Sequence, residues 1–267
     1  MRAHLVDMAS PAMIALLLAA GGYIYAFYHF HQMGWLARLV RRGLIRRWQP
    51  LCFALGIAVI GAALFSQIHD LAEEYLYWHM IQHVLLMVAP LLILFGLPSP
   101  VVRWLLIKAN LKGVLAGLTH PLTAYLLFNI NLLAWHIPTF YQATLTNELV
   151  HDFQHALFFY TSLFYYWRLV DPTHGWHPFW DWTPSRWLYL MVAAPPSYIL
   201  GSVLWASSTV FYPHYAYAQY LRPPGLTALQ DQSYAGLIMW LQGWMFVMAS
   251  MFVFFLHYEP GLEQAQE

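Results

Sequence analysis

Long apolar stretches alternate with short polar or basic segments along the whole chain. Seven of the stretches are long enough to cross a membrane, since roughly 20 apolar residues in a helix span the hydrocarbon core. They cover about residues 10–33, 49–69, 75–97, 119–138, 149–170, 186–208 and 235–258. The pattern predicts an all-α fold, with residues 1–267 forming a single domain that is an integral membrane bundle of seven transmembrane helices.

The composition supports lipid as the main solvent. Hydrophobic residues make up 60% of the chain and charged residues 9%, whereas soluble proteins carry about 25% charged residues. The net charge is zero and there is no basic tail, which excludes a nucleic-acid partner. The single cysteine, Cys52, excludes a disulfide framework and any paired-cysteine metal motif.

Basic residues follow alternate predicted spans, so they predict an orientation. Those that fall on one side are Arg38, Arg41, Arg42, Arg46, Arg47, Arg103, Lys108, Lys112, Arg168 and Arg186. Only Arg2 and Arg222 fall on the other side. Because basic loops stay in the cytoplasm, we expect the amino terminus outside and the carboxyl terminus inside. Residues 101–113 are basic and too short to span, so they predict an amphipathic helix at the interface. The aromatic residues of 209–234 predict another segment at the interface.

In this orientation six histidines lie near the outer ends of the spans: His69, His79, His83, His136, His151 and His155. Four of them form two pairs spaced four residues apart, which places both rings of each pair on one helix face. Met87 continues the first face inward. Met80 points about 100° away from that face, so Met87 is the better-placed thioether. Imidazole and thioether together suit Cu(I), while imidazole alone also suits zinc or Cu(II).

Several polar residues at the same level are candidate supports for such a site. Asn129 shares a helix face with His136. Asp70 and Asp152 can accept hydrogen bonds from imidazoles, although acids at helix starts are also favoured by the helix dipole alone. Asp231 precedes the last span and can cap it. Ordinary interfacial histidines are an alternative explanation of the whole pattern, because amphipathic side chains favour membrane interfaces.

Five segments resemble the polytopic CtaG family, the assembly factors of caa3-type cytochrome c oxidase. They are HMIQHVLLMVAPLLILFGLP (79–98), HPLTAYLLFNINLLAWHIPTFYQATL (120–145), LVHDFQHALFFYTSLFYYWRLVDP (149–172), RWLYLMVAAPPSYILGSVLWASSTVFYP (186–213) and DQSYAGLIMW (231–240). Their order and spacing agree with the family over roughly residues 50–258. The chain departs from the family pattern at Leu91, where a second proline is expected, and at Ala235, where a glycine is expected.

The resemblance implies a multi-pass protein of the bacterial cytoplasmic membrane that serves the respiratory chain. It implies a metallochaperone rather than an enzyme, delivering copper to the catalytic subunit of a haem–copper oxidase. The positions that carry this role in the motifs are His79, Gln82, His83, Trp135, His136, His151 and His155. Whether the metal is transferred, stored or structural stays open, as does the oligomeric state.

Two other functions are compatible with the residues. A b-type haem protein or quinone-linked oxidoreductase would hold haem between two histidines of different helices, with His29, His120 and His257 as candidates. A structural subunit of a respiratory complex would need no metal at all. A Soret band and the metal content of the purified protein discriminate among the three.

Overall fold

The computed structural model describes residues 11–42, 45–173, 183–218 and 225–257, and every regular element in these ranges is an α-helix. The all-α prediction is confirmed. The helices in chain order are α1 (Pro11–Gln32), α2 (Trp35–Arg41), α3 (Gln49–Phe65), α4 (Gln67–Glu74), α5 (Leu76–Gly96), α6 (Ser99–Lys108), α7 (Lys112–Leu118), α8 (Pro121–Trp135), α9 (Pro138–Thr146), α10 (Glu148–Val170), α11 (Thr183–Ala206), α12 (Pro213–Ala218) and α13 (Ala228–His257).

Three to five membrane crossings are supported within the described ranges. The helices α1 and α5 and the segment Leu188–Ala206 of α11 are long and apolar enough to span. Two bent pairs, α3 with α4 and α7 with α8, add two crossings if each pair is one span. The two other predicted spans fall on α10 and α13, which are 23 and 30 residues long. The count of seven and the orientation of the termini stay predictions.

Both bent pairs have a local cause. The backbone is extended at Ser66, whose hydroxyl accepts the amide of Ile68 and starts α4, so the predicted span 49–69 is broken and turns by 45°. In the predicted span 119–138, Pro121 disfavours helical backbone at His120, which is extended (ψ 134°). The helix after it has 15 residues, or about 22 Å at 1.5 Å per residue, which is shorter than the hydrocarbon core.

The predicted interfacial helix over 101–113 is wrong in one respect, because two helices cover this region. Asn110 adopts a left-handed conformation, with φ 53°, and lies between the end of α6 and the start of α7. Asparagine is one of the few residues that tolerate this conformation, which commonly ends a helix.

The helix α5 lies at the centre of the bundle, against α3, α4, α10 and α13. Small residues bring α3 close to it: Ala63 and Ala89 are fully buried, and a Cβ on Gly56 would lie 2.7 Å from the side chain of Ile93. In lipid, helices associate through such close packing because lipid tails are as apolar as the side chains. The most central helix of the fold therefore carries the HMIQH motif.

The pair α11 and α13 crosses at two glycines. A Cβ on Gly201 would lie 2.6 Å from the carbonyl oxygen of Gly236, a distance that no side chain can occupy. Ala235, next to this crossing, has no exposed surface, so its methyl group is accommodated in the packing of the two helices. This crossing holds the two C-terminal helices of the described chain together.

The cap of α13 differs from the prediction. Thr227 and Gln230 form a capping box, in which the Thr227 hydroxyl accepts the Gln230 amide at 3.2 Å and the Gln230 side chain accepts the Thr227 amide at 3.0 Å. Asp231 lies in the first turn of α13 and reaches a different helix. Its two carboxylate oxygens accept the amides of Leu76 and Tyr77, each at 3.0 Å, so Asp231 caps α5.

Candidate functional site

Four imidazoles meet where α5 and α10 begin; we call His79, His83, His151 and His155 the four-histidine group. The ring centroids are 4.3 Å apart in the pair on α5 and 4.2 Å apart in the pair on α10. Between the helices they are 5.4 Å apart for His79 and His151 and 5.5 Å apart for His83 and His155. The structure thus brings together the two faces that the spacing singles out.

These rings hold buried nitrogens without hydrogen-bond partners. His79 and His83 are 1% and 2% exposed, and His155 is 6% exposed. Among the described residues, none forms a hydrogen bond with the Nε2 atom of any of the four rings, nor with Nδ1 of His83. A buried polar atom left unpaired costs about 1–3 kcal/mol. The group is therefore a site of stored unfavourable free energy that a ligand of matching chemistry can relieve.

His69 joins the four-histidine group from α4, with its ring centroid 6.2 Å from that of His151. The side-chain nitrogen of Gln82 donates to the carbonyl of Ala63 at 2.9 Å and lies 3.1 Å from Nδ1 of His69. Because the amide nitrogen carries two protons, Nδ1 of a neutral His69 accepts and the ring proton sits on Nε2. Gln82 thereby orients His69, as expected of a residue that supports a ligand.

His136 ends α8 and faces α5. Its Nδ1 lies 2.7 Å from the carbonyl oxygen of Leu132, and its Nε2 lies 3.5 Å from the sulfur of Met80. A carbonyl oxygen only accepts, so Nδ1 carries the proton. The Nε2 lone pair of the neutral ring then faces the lone pairs of the Met80 thioether.

Three tyrosines cover this region: Tyr141, Tyr212 and Tyr215 are each at most 2% exposed. The ring of Tyr141 lies 5.2 Å from His79, and its hydroxyl lies 3.0 Å from that of Tyr215. The Tyr215 hydroxyl donates to the carbonyl of Ala72 at 3.1 Å. Burial raises the pKa of Tyr141 and of Tyr212 well above the usual value, so both phenols stay protonated.

These tyrosines were missed in the sequence, and part of the segment 209–234 is more buried than a location at the interface predicts. The motif FYPHYAYA contains Tyr212, 2% exposed, and Tyr215, 1% exposed.

Gln154 was also missed: it has no exposed surface, and neither polar atom of its amide has a hydrogen-bond partner within the described ranges. An amide between two histidines inside a predicted span was the available signal, because polar groups in spans are functional by default.

The other predicted residues have different surroundings. The sulfur of Met87 accepts the side-chain amide of Gln242 at 3.3 Å, and Asn129 donates to the carbonyl of Tyr125 at 2.9 Å. Asp70 and Asp152 are exposed, and neither carboxylate forms a hydrogen bond with a histidine of the described chain. Trp135 donates to Asn131 at 2.9 Å, and Asn131 donates in turn to Thr161 on α10 at 3.3 Å, which links α8 to α10.

The described histidines outside the group differ in their surroundings. His29 and His31 are exposed on α1, and His120 is exposed at the start of α8. The side chain of His257 lies outside the described residues, as do His4, His174 and His177. His214 binds the carbonyl of Glu73 at 3.0 Å.

Within the ranges described, no three His, Cys, Asp or Glu side chains are arranged as a ready metal-binding group. Two of the ring contacts are stacked. His79 and His151 are nearly parallel, at 19°, and His69 and His151 are parallel within 17°. Because an imidazole lone pair lies in the plane of its ring, parallel rings do not direct their lone pairs at one common point. The metal ligands therefore stay predictions.

The comparison with family models agrees with the motifs. The family described as cytochrome c oxidase caa3 assembly factor (Caa3_CtaG) matches residues 21–259. This match includes all six histidines near the outer ends and the three covering tyrosines. No curated protein and no solved structure matches the chain. Since the family model covers most of the sequence, the chain belongs to the family of cytochrome c oxidase caa3 assembly factors.

Proposed function

We propose that this protein binds copper on the outer side of the bacterial cytoplasmic membrane and delivers it to the catalytic subunit of a haem–copper oxidase. It acts as a non-catalytic metallochaperone with copper as its cargo. Membership of the assembly-factor family supports an oxidase as the client. The copper chemistry rests on the four-histidine group.

The observation that carries the proposal is the set of buried Nε2 atoms without partners on His79, His83, His151 and His155. Neutral imidazole is a good ligand for copper and for zinc. A copper ion would satisfy several of these nitrogens at once and offset the cost of burying them.

The distances between rings support a cargo site that adjusts to its ion. Two imidazoles on one tetrahedral ion have centroids about 5 Å apart, given metal–nitrogen bonds of about 2.0 Å. The contacts of 5.4 and 5.5 Å between α5 and α10 are close to this value, while the pairs within each helix are nearer, at 4.3 and 4.2 Å. Rotation of the rings is thus the change that binding requires.

The packing of α5 supports the orientation. Next to the last turn of α5, the side chain of Gln49 donates to the carbonyl of Leu97 at 3.3 Å and accepts the amide of Arg46 at 2.9 Å. The basic residues that precede α3 therefore lie near this end of α5. His79 lies in the first turn, about 25 Å away along the helix axis. If the basic end is cytoplasmic, the four-histidine group faces outward.

Copper binding by the purified full chain tests the proposal. Titration with Cu(I) against a chelator of known affinity is expected to show tight binding to the wild type. His83→Ala with His155→Ala is expected to weaken it about 100-fold or more, whereas His31→Ala, a matched exposed histidine, leaves it unchanged. Undiminished copper in the double variant contradicts the proposal. A Soret band in the same sample supports a haem protein instead.

Labelling of single cysteines tests the orientation. In a Cys52→Ser background, Tyr217→Cys in intact spheroplasts is expected to react with a membrane-impermeant maleimide. Lys108→Cys is expected to react only after the membrane is opened. The reverse pattern contradicts both the orientation and an outward-facing site.

A further inference from the structure

The contact between Met80 and His136 lies at the edge of the four-histidine group and has its own chemistry. We propose that Met80 and His136 supply a thioether–imidazole position that selects Cu(I) over divalent ions. The inference rests on the proposed copper function and adds to it the ion's oxidation state and the residues that recognise it.

The first argument is that neither atom in the contact is a hydrogen donor in the neutral protein. The proton of the His136 ring is on Nδ1, which donates to the Leu132 carbonyl at 2.7 Å. The Nε2 lone pair therefore faces the Met80 sulfur at 3.5 Å, and a thioether has no proton to offer. Two lone pairs that face each other inside a protein form an acceptor pair that a cation can bridge.

The second argument is geometric. The nitrogen of His136 and the sulfur of Met80 lie 3.5 Å apart. An ion with bonds of about 2.0 Å to the nitrogen and about 2.3 Å to the sulfur would have a nitrogen–ion–sulfur angle of about 110°. This is the angle between two ligands of a tetrahedral ion, so the pair occupies two positions and leaves two open. His79 adjoins Met80 in the sequence of α5, and His83 lies one turn after His79, with their ring centroids 4.3 Å apart. They are the imidazoles best placed to receive the ion from this pair or to complete its coordination.

The third argument is that the pair is held in place. His136 is fixed by its bond to Leu132 and by the Tyr212 hydroxyl, which donates to the His136 carbonyl at 3.0 Å. Met80 is 1% exposed and His136 6% exposed. The sulfur of Met87 instead accepts a hydrogen bond from Gln242 at 3.3 Å, so it is occupied. Met80 is therefore the available thioether.

The fourth argument concerns charge. Both ligands are neutral, so the charge of a bound ion is not compensated by them. The cost of burying an ion scales with the square of its charge, which makes a divalent ion about four times as costly as a monovalent one. Thioether sulfur also prefers Cu(I) to Zn(II). Softness and charge favour the same ion.

X-ray absorption on the purified, Cu(I)-loaded protein tests the inference, with a parallel titration by Zn(II). The wild type is expected to show sulfur scattering at about 2.3 Å. Met80→Leu keeps the volume of the side chain and is expected to remove this scattering and to lower Cu(I) affinity about tenfold or more, with Zn(II) binding unchanged. Met87→Leu is the matched control and is expected to keep the sulfur signal.

A second variant, His136→Asn, tests the other ligand. Its amide can still donate to the Leu132 carbonyl while the Nε2 atom is lost, so the fold is preserved and Cu(I) affinity is expected to fall as in Met80→Leu. Loss of the sulfur signal in Met87→Leu but not in Met80→Leu would overturn the inference. So would Cu(I) bound to nitrogen alone in the wild type, which leaves the proposed function intact. A wild type that binds no Cu(I) contradicts the proposed function itself.

Discussion

Asp231 of α13 caps the first turn of α5, and this contact gives the sharpest test of how the four-histidine group is held in place. Asp231 has no exposed surface, and its two oxygens accept the amides of Leu76 and Tyr77 at 3.0 Å each. These amides belong to the first turn of α5 and have no partner within the helix. Asp231→Ala leaves both without this acceptor, and Asp231→Asn replaces one acceptor by a donor.

The expected loss follows from the number of amides affected. Each buried amide left without an acceptor costs about 1–3 kcal/mol, so Asp231→Ala is expected to lower the free energy of unfolding by about 2–6 kcal/mol. Asp231→Asn keeps one acceptor and is expected to cost about half as much. Since Leu76 is three residues before His79, fraying of this turn also displaces the first imidazole. Cu(I) affinity is expected to fall in parallel.

Thermal unfolding of the full chain in detergent measures the effect, with Asn147→Ala as the matched control. Asn147 caps α10 in the same way, by accepting the amides of Leu149 and Val150, but it is exposed. Water replaces an exposed cap, so this variant is expected to lose about 1 kcal/mol. If Asp231→Ala loses no more stability than Asn147→Ala, the reasoning about a buried cap between helices is refuted.

Three further predictions follow from other contacts. Gly236→Leu is expected to abolish folding, since its Cβ would lie 2.6 Å from a backbone nitrogen of α11. The control Gly21→Leu is expected to be tolerated, because Gly21 faces open space. Comparable yields of the two folded variants in gel filtration would contradict the prediction. Tyr215→Phe is expected to destabilise the protein more than Tyr141→Phe does. The Tyr215 hydroxyl both donates to a carbonyl of α4 and accepts the Tyr141 hydroxyl, so two hydrogen bonds are lost. Equal melting temperatures of the two variants would refute the assigned direction of these bonds. Gln82→Leu is expected to weaken copper binding about 10–100-fold, because His69 loses the side chain that orients its ring. Unchanged copper affinity in the same titration would show that His69 is not a ligand.

The i,i+4 pairs could be predicted from the sequence because both members of a pair lie on one helix. The 3.6-residue period alone places His79 with His83 and His151 with His155. The same period ranked Met87 above Met80, because it describes the face of an isolated helix. In the structure Met87 contacts Gln242 and Met80 contacts His136, and these contacts depend on which helices pack against each face.

Partners far apart in the sequence could not be predicted in this way. Asp231 caps a helix that begins 155 residues earlier, although its position in the sequence indicated a cap for its own helix. The tyrosine cover likewise joins Tyr141 to Tyr215 across 74 residues. No local pattern encodes such contacts, because they exist only when the helices pack.

By itself, the sequence determined that the chain is all-helical, that lipid surrounds much of it, and which faces of single helices carry imidazoles. It also carried the motifs of its family. The tertiary structure alone decided that the two imidazole pairs meet, which of their nitrogens are buried without partners, and which thioether faces His136. The physical reason is that hydropathy and helical period act within a helix, whereas the rotation and depth of one helix against another follow from close packing and from hydrogen bonds between distant residues.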